Sequence, residues 1–115
     1  MPNPVIHFEV VGKDLPTLKR FYTELFGWKT QDHPEMGYAI VEQEGDGIGG
    51  GIGQTPDGGA GHVTFYVAVP DPQSTLDEAV SLGGTVVMPV TELPMVTLAL
   101  FTDPEGHMVG IVKAE

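Results

Sequence analysis

The second half of this 115-residue chain repeats the order of features found in its first half. In each half, an alternating apolar run with a histidine is followed by an aspartate, a helical pattern that stops at glycine, and further strand-like runs. His7 and His62 hold equivalent places in the two copies. Because copies of one unit pack as related elements around a shared core, this duplication limits the fold more than composition does. We therefore expect the two histidines to be related by approximate two-fold symmetry, and we look for function there first.

Each repeat predicts one strand, one helix and then three further strands. Residues 4–11 and 62–68 alternate between two kinds of side chain with the period of a strand. Asp14 and Asp71 are predicted helix N-caps, each followed by a proline that suits the first helical turn. The predicted fold class is α+β, with a mainly antiparallel, cupped sheet that carries both helices on its outer face. The open face of such a sheet is a natural place for a pocket.

The bulk composition indicates one packed domain. We expect a single domain over residues 1–115, built from repeats at 4–54 and 61–113, and the 41% hydrophobic content supports a core. The net charge of −11 argues against nucleic acid and anionic membranes as partners, because both need clustered positive charge. Since the chain has no cysteine, disulfides, thiolate nucleophiles and cysteine-ligated zinc are excluded.

The sequence carries no pattern of a membrane or secretory segment. No basic stretch precedes an apolar run at the N-terminus, so we expect no signal peptide. No apolar run approaches the length of about 18 residues that spans a bilayer. A cytoplasmic location is therefore the expectation.

Strand alternation separates the side chains of the two leading strands into two faces. The polar face is predicted to line a ligand pocket, and it comprises His7, Glu9, His62, Thr64 and Tyr66. The opposite face is predicted to pack under the helices, and it includes Phe8, Val10, Phe65 and Val67. Glu9 and His62 are the candidate catalytic pair, since histidine titrates near neutrality and a carboxylate can exchange protons with it.

Glycine takes nine of the seventeen positions in Gly45–Gly61. Residues 45–50 match the pattern G-x-G-x-x-G, but more glycines and then Pro56 follow, so no helix can begin there. A dinucleotide-binding fingerprint needs that helix, and the match is therefore rejected. We interpret the stretch as sheet without side chains, which would leave room for a ligand close to the backbone.

The tandem strand-helix-three-strand unit with a histidine in each first strand resembles the vicinal oxygen chelate superfamily. This group includes glyoxalase I, extradiol dioxygenases, and the bleomycin- and fosfomycin-resistance proteins. The resemblance covers residues 4–113, and its most specific pieces are His7, the run Arg20–Trp28, Gly61-His62-Val63, and Asp103-Pro104-Glu105-Gly106. The run Arg20–Trp28 is an apolar helix face with its terminating glycine, so it indicates the fold more than the chemistry.

The resemblance implies a place for one divalent metal ion. Metalloenzymes of the superfamily take ligands from the first and last strands of each half, and His7 and His62 match the first-strand places. The last-strand places fall at Gly110 and within Gly49–Gly51, and glycine has no side chain to ligate. Two imidazoles are fewer than the three protein ligands of a usual catalytic zinc site, so we predict no metal cofactor. The alternative is a site made by His7, His62 and Glu9.

Three functions remain open at this stage. The first is a small-molecule-binding protein or metal-independent enzyme of the glyoxalase and bleomycin-resistance type. The second is a metal-dependent lyase or dioxygenase that resembles glyoxalase I, and the third is a non-catalytic sequestering protein. Whether the protein is an enzyme is not decided by these residues. A homodimer is expected, because the family usually completes its cup by pairing modules and two-fold dimers are the commonest oligomers.

Overall fold

The structure is a computed structural model and describes residues 2–115. Over these residues the chain forms eight strands, two α-helices and one short 3₁₀ helix at Pro34–Met36. In chain order the elements are β1 (Val5–Gly12), α1 (Leu15–Phe26), β2 (Thr30–His33), β3 (Tyr38–Val41), β4 (Gly49–Gln54), β5 (His62–Val69), α2 (Pro72–Ser81), β6 (Thr85–Glu92), β7 (Thr97–Thr102) and β8 (Met108–Lys113). The predicted α+β class and its repeated strand-helix-three-strand unit are therefore confirmed.

Both helices begin as the sequence predicts. The Asp14 carboxylate accepts a hydrogen bond from the backbone N–H of Thr17, and Asp71 accepts from those of Gln73 and Ser74. These bonds satisfy donors that have no partner inside the helix. Helix α1 ends at Gly27, whose φ of 72° is the left-handed conformation that glycine adopts without strain. Within residues 2–115, no helix has the length and apolar character that crossing a membrane requires.

The first compact unit comprises His7–Val63. Its strands are ordered β2-β3-β4-β1, with β1 parallel to β4 and the other two pairs antiparallel. The buried apolar side chains of this unit come from alternate positions on three strands, and they are Val10, Ala39, Val41 and Ile52. The remaining positions of β1 and β4 therefore face away from this core.

The second compact unit comprises residues 2–6 and Thr64–Glu115. Its strands are ordered β5-β8-β7-β6, with β5 parallel to β8 and antiparallel pairing elsewhere. The core of the unit lies under α2, which packs against β6, β7 and β8. This core contains Val69, Leu76, Ala99 and Ile111, with Val67, Val90 and Phe101 packed against it.

Three of the four side chains on the expected apolar strand faces are packed, whereas the expectation is wrong for Phe65. Val10 is buried, the Phe8 ring lies 5.0 Å from that of Trp28, and Val67 packs against the core of its unit. Phe65, in contrast, is 42% exposed. The β5 side chains in and against this core are Val69 and Val67, which lie further along the strand, and α2 packs against β6, β7 and β8.

Candidate functional site

The polar face of the first unit is built by alternate residues of three neighbouring strands. His7 and Glu9 point to one side of β1 and pair with Gly49 and Gly51 on the parallel strand β4. On β3, Ile40 pairs with Gly51 and Tyr38 pairs with Gly53, so Tyr38 lies on the same face as Gly51. Since directly paired residues share a face, β1 brings imidazole and carboxylate groups to the same side as the Tyr38 side chain.

Four side chains on this face form one hydrogen-bonded group, which we name the Tyr38 network: His7, Glu9, Tyr38 and His62. The Tyr38 hydroxyl lies 3.0 Å from His7 Nε2 and donates to Glu9 Oε2 over 3.0 Å. The second carboxylate oxygen, Oε1, lies 3.2 Å from His62 Nε2. The Tyr38 hydroxyl is therefore the centre of the network, and Glu9 joins it to His62.

Protonation in the network follows from these contacts. Burial lowers the pKa of His7 below its ordinary 6.5, although the Glu9 carboxylate opposes part of that shift. His7 is therefore neutral near pH 7. Tyr38 donates to Glu9, and the direction of the His7 Nε2–Tyr38 contact depends on the tautomer of the neutral imidazole. Hydrogen bonds thus connect His7, the Tyr38 hydroxyl and the Glu9 carboxylate.

The glycines of β4 make room for aromatic rings of this chain, and the prediction that they leave space for a ligand is wrong at two of them. The Tyr38 ring lies against the backbone of Gly51 and Gly53, and a Cβ on Gly51 would overlap the Tyr38 hydroxyl. On the opposite face of β4, a Cβ on Gly50 would overlap the Phe8 ring. The alternating glycines are therefore needed so that side chains of β1 and β3 can cross β4.

Thr64 and Tyr66, the other predicted pocket residues, belong to the second compact unit. Thr64 is 5% exposed, and its hydroxyl donates to the backbone carbonyl of Met108. Tyr66 is buried and pairs with Gly110, whose backbone its ring covers. Tyrosine rings thus lie against glycine in both units, over Gly51 in one and over Gly110 in the other. A ligand-binding role for Thr64 and Tyr66 stays a prediction.

The residues present do not fit the divalent metal that the resemblance implies. The candidate ligand atoms of His7, Glu9 and His62 are hydrogen-bonded to one another or to Tyr38. Over residues 2–115, no group of three or more histidine, aspartate or glutamate residues is arranged to hold a metal ion. The resemblance implies ligand places at Gly110 and within Gly49–Gly51, and a side chain at Gly110 or Gly51 would collide with a tyrosine ring. The donor set is therefore engaged in hydrogen bonds among its own side chains.

Sequence reasoning missed the central role of Tyr38, because an aromatic residue on a strand usually packs in a core. The glycines at the alternate positions 49, 51 and 53 were a usable signal. They leave one face of β4 without side chains, so that a large side chain from a neighbouring strand can lie flat on it. The strand alternation also gave no role to His33. This residue of β2 pairs with Tyr38 of β3, and its buried Nε2 has no hydrogen-bond partner. His33 lies three strand spacings from β1, or about 14 Å, so it is outside the Tyr38 network.

Comparison with known proteins identifies the family that this chain matches. The family model described as "Glyoxalase-like domain" matches residues 8–112. Two curated relatives, from Mycobacterium bovis and Mycobacterium tuberculosis, are both named "Putative glyoxylase CFP32". Each is 31% identical over 109 residues, which cover 88% of this chain and 42% of the relative. The chain therefore spans less than half the length of these relatives.

Solved structures show the same fold at low sequence identity. A hypothetical protein from Bacillus halodurans superimposes with a TM-score of 0.69 at 15% identity, covering 100% of this chain and 96% of the other. A member of the glyoxalase/bleomycin resistance protein/dioxygenase superfamily from Vibrio splendidus gives 0.67 at 15% identity, covering 98% and 100%. The methylmalonyl-CoA epimerase of Mycobacterium tuberculosis gives 0.66 at 13% identity, covering 96% and 87%. At these identities the likeness concerns the fold alone.

Proposed function

The chain belongs to the glyoxalase-like domain family, and we propose that it binds a small polar molecule at the Tyr38 network without the usual divalent metal. The observation that carries this proposal is the Tyr38 hydroxyl, held 3.0 Å from both His7 Nε2 and Glu9 Oε2. It contacts two of the side chains that are the candidate metal ligands, His7 and Glu9. The polar groups are therefore preorganised for an organic ligand, which lowers the entropic cost of binding.

The network also suits acid–base chemistry on a bound molecule. Glu9 is a carboxylate whose side chain is 14% exposed, and His62, at 30%, remains accessible to a ligand. Glu9 accepts from Tyr38 through one oxygen and contacts His62 through the other, so both neighbours hold its orientation. We assign Glu9 and His62 the proton-exchanging roles in any reaction, with His7 and Tyr38 as ligand-binding and positioning groups.

A metabolite screen by thermal shift tests the proposed binding site. A ligand that binds only the folded protein raises its stability by an amount that grows with concentration. We expect at least one polar metabolite to raise the Tm of the wild type, and Glu9→Gln to weaken that effect. The exposed carboxylate variant Glu44→Gln is the control and should respond like the wild type. Ligands whose effect is the same in Glu9→Gln and in the wild type would place binding elsewhere.

The same ligand separates an enzyme from a sequestering protein. If the protein is an enzyme, NMR spectra of the ligand will change with time in the presence of the wild type. The change will be slower with His62→Ala, which removes one proton-exchanging group. A ligand that is recovered unchanged after prolonged incubation supports the sequestering function instead. The metal-dependent lyase or dioxygenase remains the further alternative, and metal analysis decides it.

We further propose that two copies of this chain pair as a homodimer. The match covers 42% of each curated relative, so the rest of the relative is long enough for a second module of similar size. Helix α1 carries large apolar side chains on its outer surface, where Phe21 and Leu25 are 57% and 59% exposed. They border a groove of about 470 Å³ on that helix. Such exposed apolar surface favours pairing with another module.

A further inference from the structure

We infer that two copies of this chain pair through α1 in an antiparallel arrangement, in which Arg20 of each copy faces Glu24 of the other. This inference rests on the proposed homodimer, because it gives the geometry of the same surface. It depends on the order of charged and apolar side chains along the exposed side of α1, and on the charge of the rest of the chain.

Helix α1 has one side turned to its sheet and one side turned to solvent. It packs on β4, and Leu18 and Tyr22 are partly buried. The solvent side, which we name the outer face of α1, carries the large apolar side chains of Phe21 and Leu25, and both are exposed. Apolar side chains grouped on the solvent side of a helix are typical of a surface that binds another protein.

The outer face of α1 has a polar edge and an apolar edge. Successive residues of an α-helix are turned by about 100°, so residues four apart lie nearly above one another. Arg20 and Glu24 therefore lie together on one edge, where Arg20 Nε is 2.8 Å from Glu24 Oε2. Phe21 and Leu25 have the same spacing and lie together on the other edge.

A two-fold axis perpendicular to α1 matches these edges to one another. Such an axis makes the two helices antiparallel, and it sets polar edge against polar edge and apolar edge against apolar edge. An axis parallel to the helix would instead set each polar edge against the apolar edge of the other copy. Because covering a charged group with apolar side chains is costly, the antiparallel pair is favoured.

The register of the pair follows from the positions of the two charges. If the axis crosses α1 at the level of Tyr22, Arg20 of one copy lies level with Glu24 of the other, because each is two residues from the axis. With a rise of about 1.5 Å per residue, Phe21 is then about 3 Å along the helix from both Phe21 and Leu25 of the other copy. The apolar side chains can therefore interleave while the charged side chains alternate in sign.

The charge balance of α1 favours a second copy as the partner. The chain has sixteen acidic residues against five lysine and arginine residues, so its overall charge opposes pairing. Helix α1 differs from the whole chain, because it carries Lys19 and Arg20 against one acidic residue, Glu24. Two α1 helices thus meet without an excess of negative charge, and the cation of each polar edge finds a carboxylate on the other copy.

Charge reversal tests this arrangement, and sedimentation of the full chain measures the Kd of the dimer. Arg20→Glu sets acidic groups against each other across the pair, and Glu24→Arg sets basic groups against each other. We expect each variant to raise Kd about tenfold or more, because like charges that meet at an interface are unfavourable. Since the two variants change the net charge in opposite directions, overall repulsion would not weaken both. Glu78→Arg reverses an exposed charge on α2, and this control should keep the wild-type Kd.

Mixing the two variants separates contacts between chains from the ion pair within one chain. In a mixed dimer, the side chains at positions 20 and 24 again face opposite charges. Native mass spectrometry of an equal mixture should therefore show mainly the mixed dimer. For the same reason, the double variant Arg20→Glu/Glu24→Arg should pair with itself about as tightly as the wild type. Circular dichroism should show that both single variants fold, because the two side chains are 79% and 67% exposed.

Each outcome has a defined meaning. Weakened single variants whose pairing is restored in the mixture and in the double variant support the inference. Single variants that dimerise like the wild type, or a mixture with no excess of the mixed dimer, overturn the arrangement. The proposed homodimer then stands if Phe21→Glu still weakens pairing. A wild type that stays a monomer of 12.3 kDa at micromolar concentration contradicts the homodimer and the arrangement together.

Discussion

The ring of Tyr38 lies directly against the backbone of Gly51, in the space that a Cβ at position 51 would occupy. This contact lets the Tyr38 hydroxyl reach across β4 to Glu9 and His7 on β1. A residue with no side chain is thus what allows the polar network to assemble. The dependence of the network on this contact can be tested by changing either Gly51 or Tyr38.

Gly51→Ala should destabilise the protein and disturb the network. The new methyl group would displace the Tyr38 ring, and overpacking of this kind costs about 1–3 kcal/mol. The loss exceeds the gain of about 0.4–1 kcal/mol that replacing glycine gives by restricting the unfolded chain. Urea unfolding measures the free energy. Gly47→Ala is the control, because Gly47 is exposed, has an ordinary φ, and its new Cβ would meet only the Glu44 carbonyl oxygen at 3.3 Å, so its variant should lose clearly less stability than Gly51→Ala. Equal stability of the two variants would contradict the packing described here.

Tyr38→Phe should also weaken the site, because it removes only the central hydroxyl. His7 Nε2 and Glu9 Oε2 would each lose a hydrogen bond to the hydroxyl, and a typical hydrogen bond contributes about 0.5–1.5 kcal/mol to stability. The matched control is Tyr22→Phe, whose ring keeps its stacking on Trp28 at 5.6 Å. We expect unfolding at clearly lower urea concentration for Tyr38→Phe than for Tyr22→Phe. If Tyr38→Phe is as stable as the wild type, the hydroxyl does not organise the network.

The stability of the protein should rise with pH in the range where His7 titrates. Burial lowers the pKa of His7 in the folded state, so below 6.5 the unfolded chain binds this proton more readily than the folded one does. The contribution of neutral His7 is complete above pH 6.5 and is lost as the pH falls through the lowered pKa. Urea unfolding at several pH values should show this slope in the wild type and a smaller slope in His7→Gln. An unchanged slope would assign the pH dependence to other groups.

Protein purified without a chelator or an affinity tag should contain no stoichiometric zinc, nickel, manganese or iron. The reason is that the ligand atoms of His7, Glu9 and His62 are occupied within the Tyr38 network. Elemental analysis measures the metal content. About one metal ion per chain, lost in both His7→Ala and His62→Ala, would overturn this prediction and favour the metal-dependent lyase or dioxygenase.

Light scattering should find a dimer at micromolar concentration. Each chain has a mass of 12.3 kDa, so a species of that mass would contradict the pairing. The variant Phe21→Glu should shift the equilibrium towards monomer, since it puts a charge on the exposed apolar surface of α1. Thr17→Glu on the same groove provides a polar comparison and should disturb pairing less. A dimer that is unaffected by Phe21→Glu would use another surface.

The sequence by itself determined the repeated units and the ends of their helices. These features depend on local patterns: strand alternation, the caps at Asp14 and Asp71, and the terminating Gly27. Local alternation also put His7 and Glu9 on one strand face, and the repeat directed attention to His62. The structure brings these three residues together through Glu9 and Tyr38.

Only the tertiary structure decided that the Tyr38 hydroxyl lies at the centre of the Tyr38 network. Its role depends on the register of β3 against β4 and of β4 against β1, which joins residues about thirty positions apart. The exposure of Phe65 could not be predicted from the sequence either. Alternation assigns a residue to a strand face but does not say how far a helix covers that face. Sequence periodicity reports on a few neighbouring residues, whereas strand register and helix coverage are set by the packing of the whole unit. For this reason the sequence predicted the helices and strands but not the Tyr38 hydroxyl that connects the side chains of His7 and Glu9.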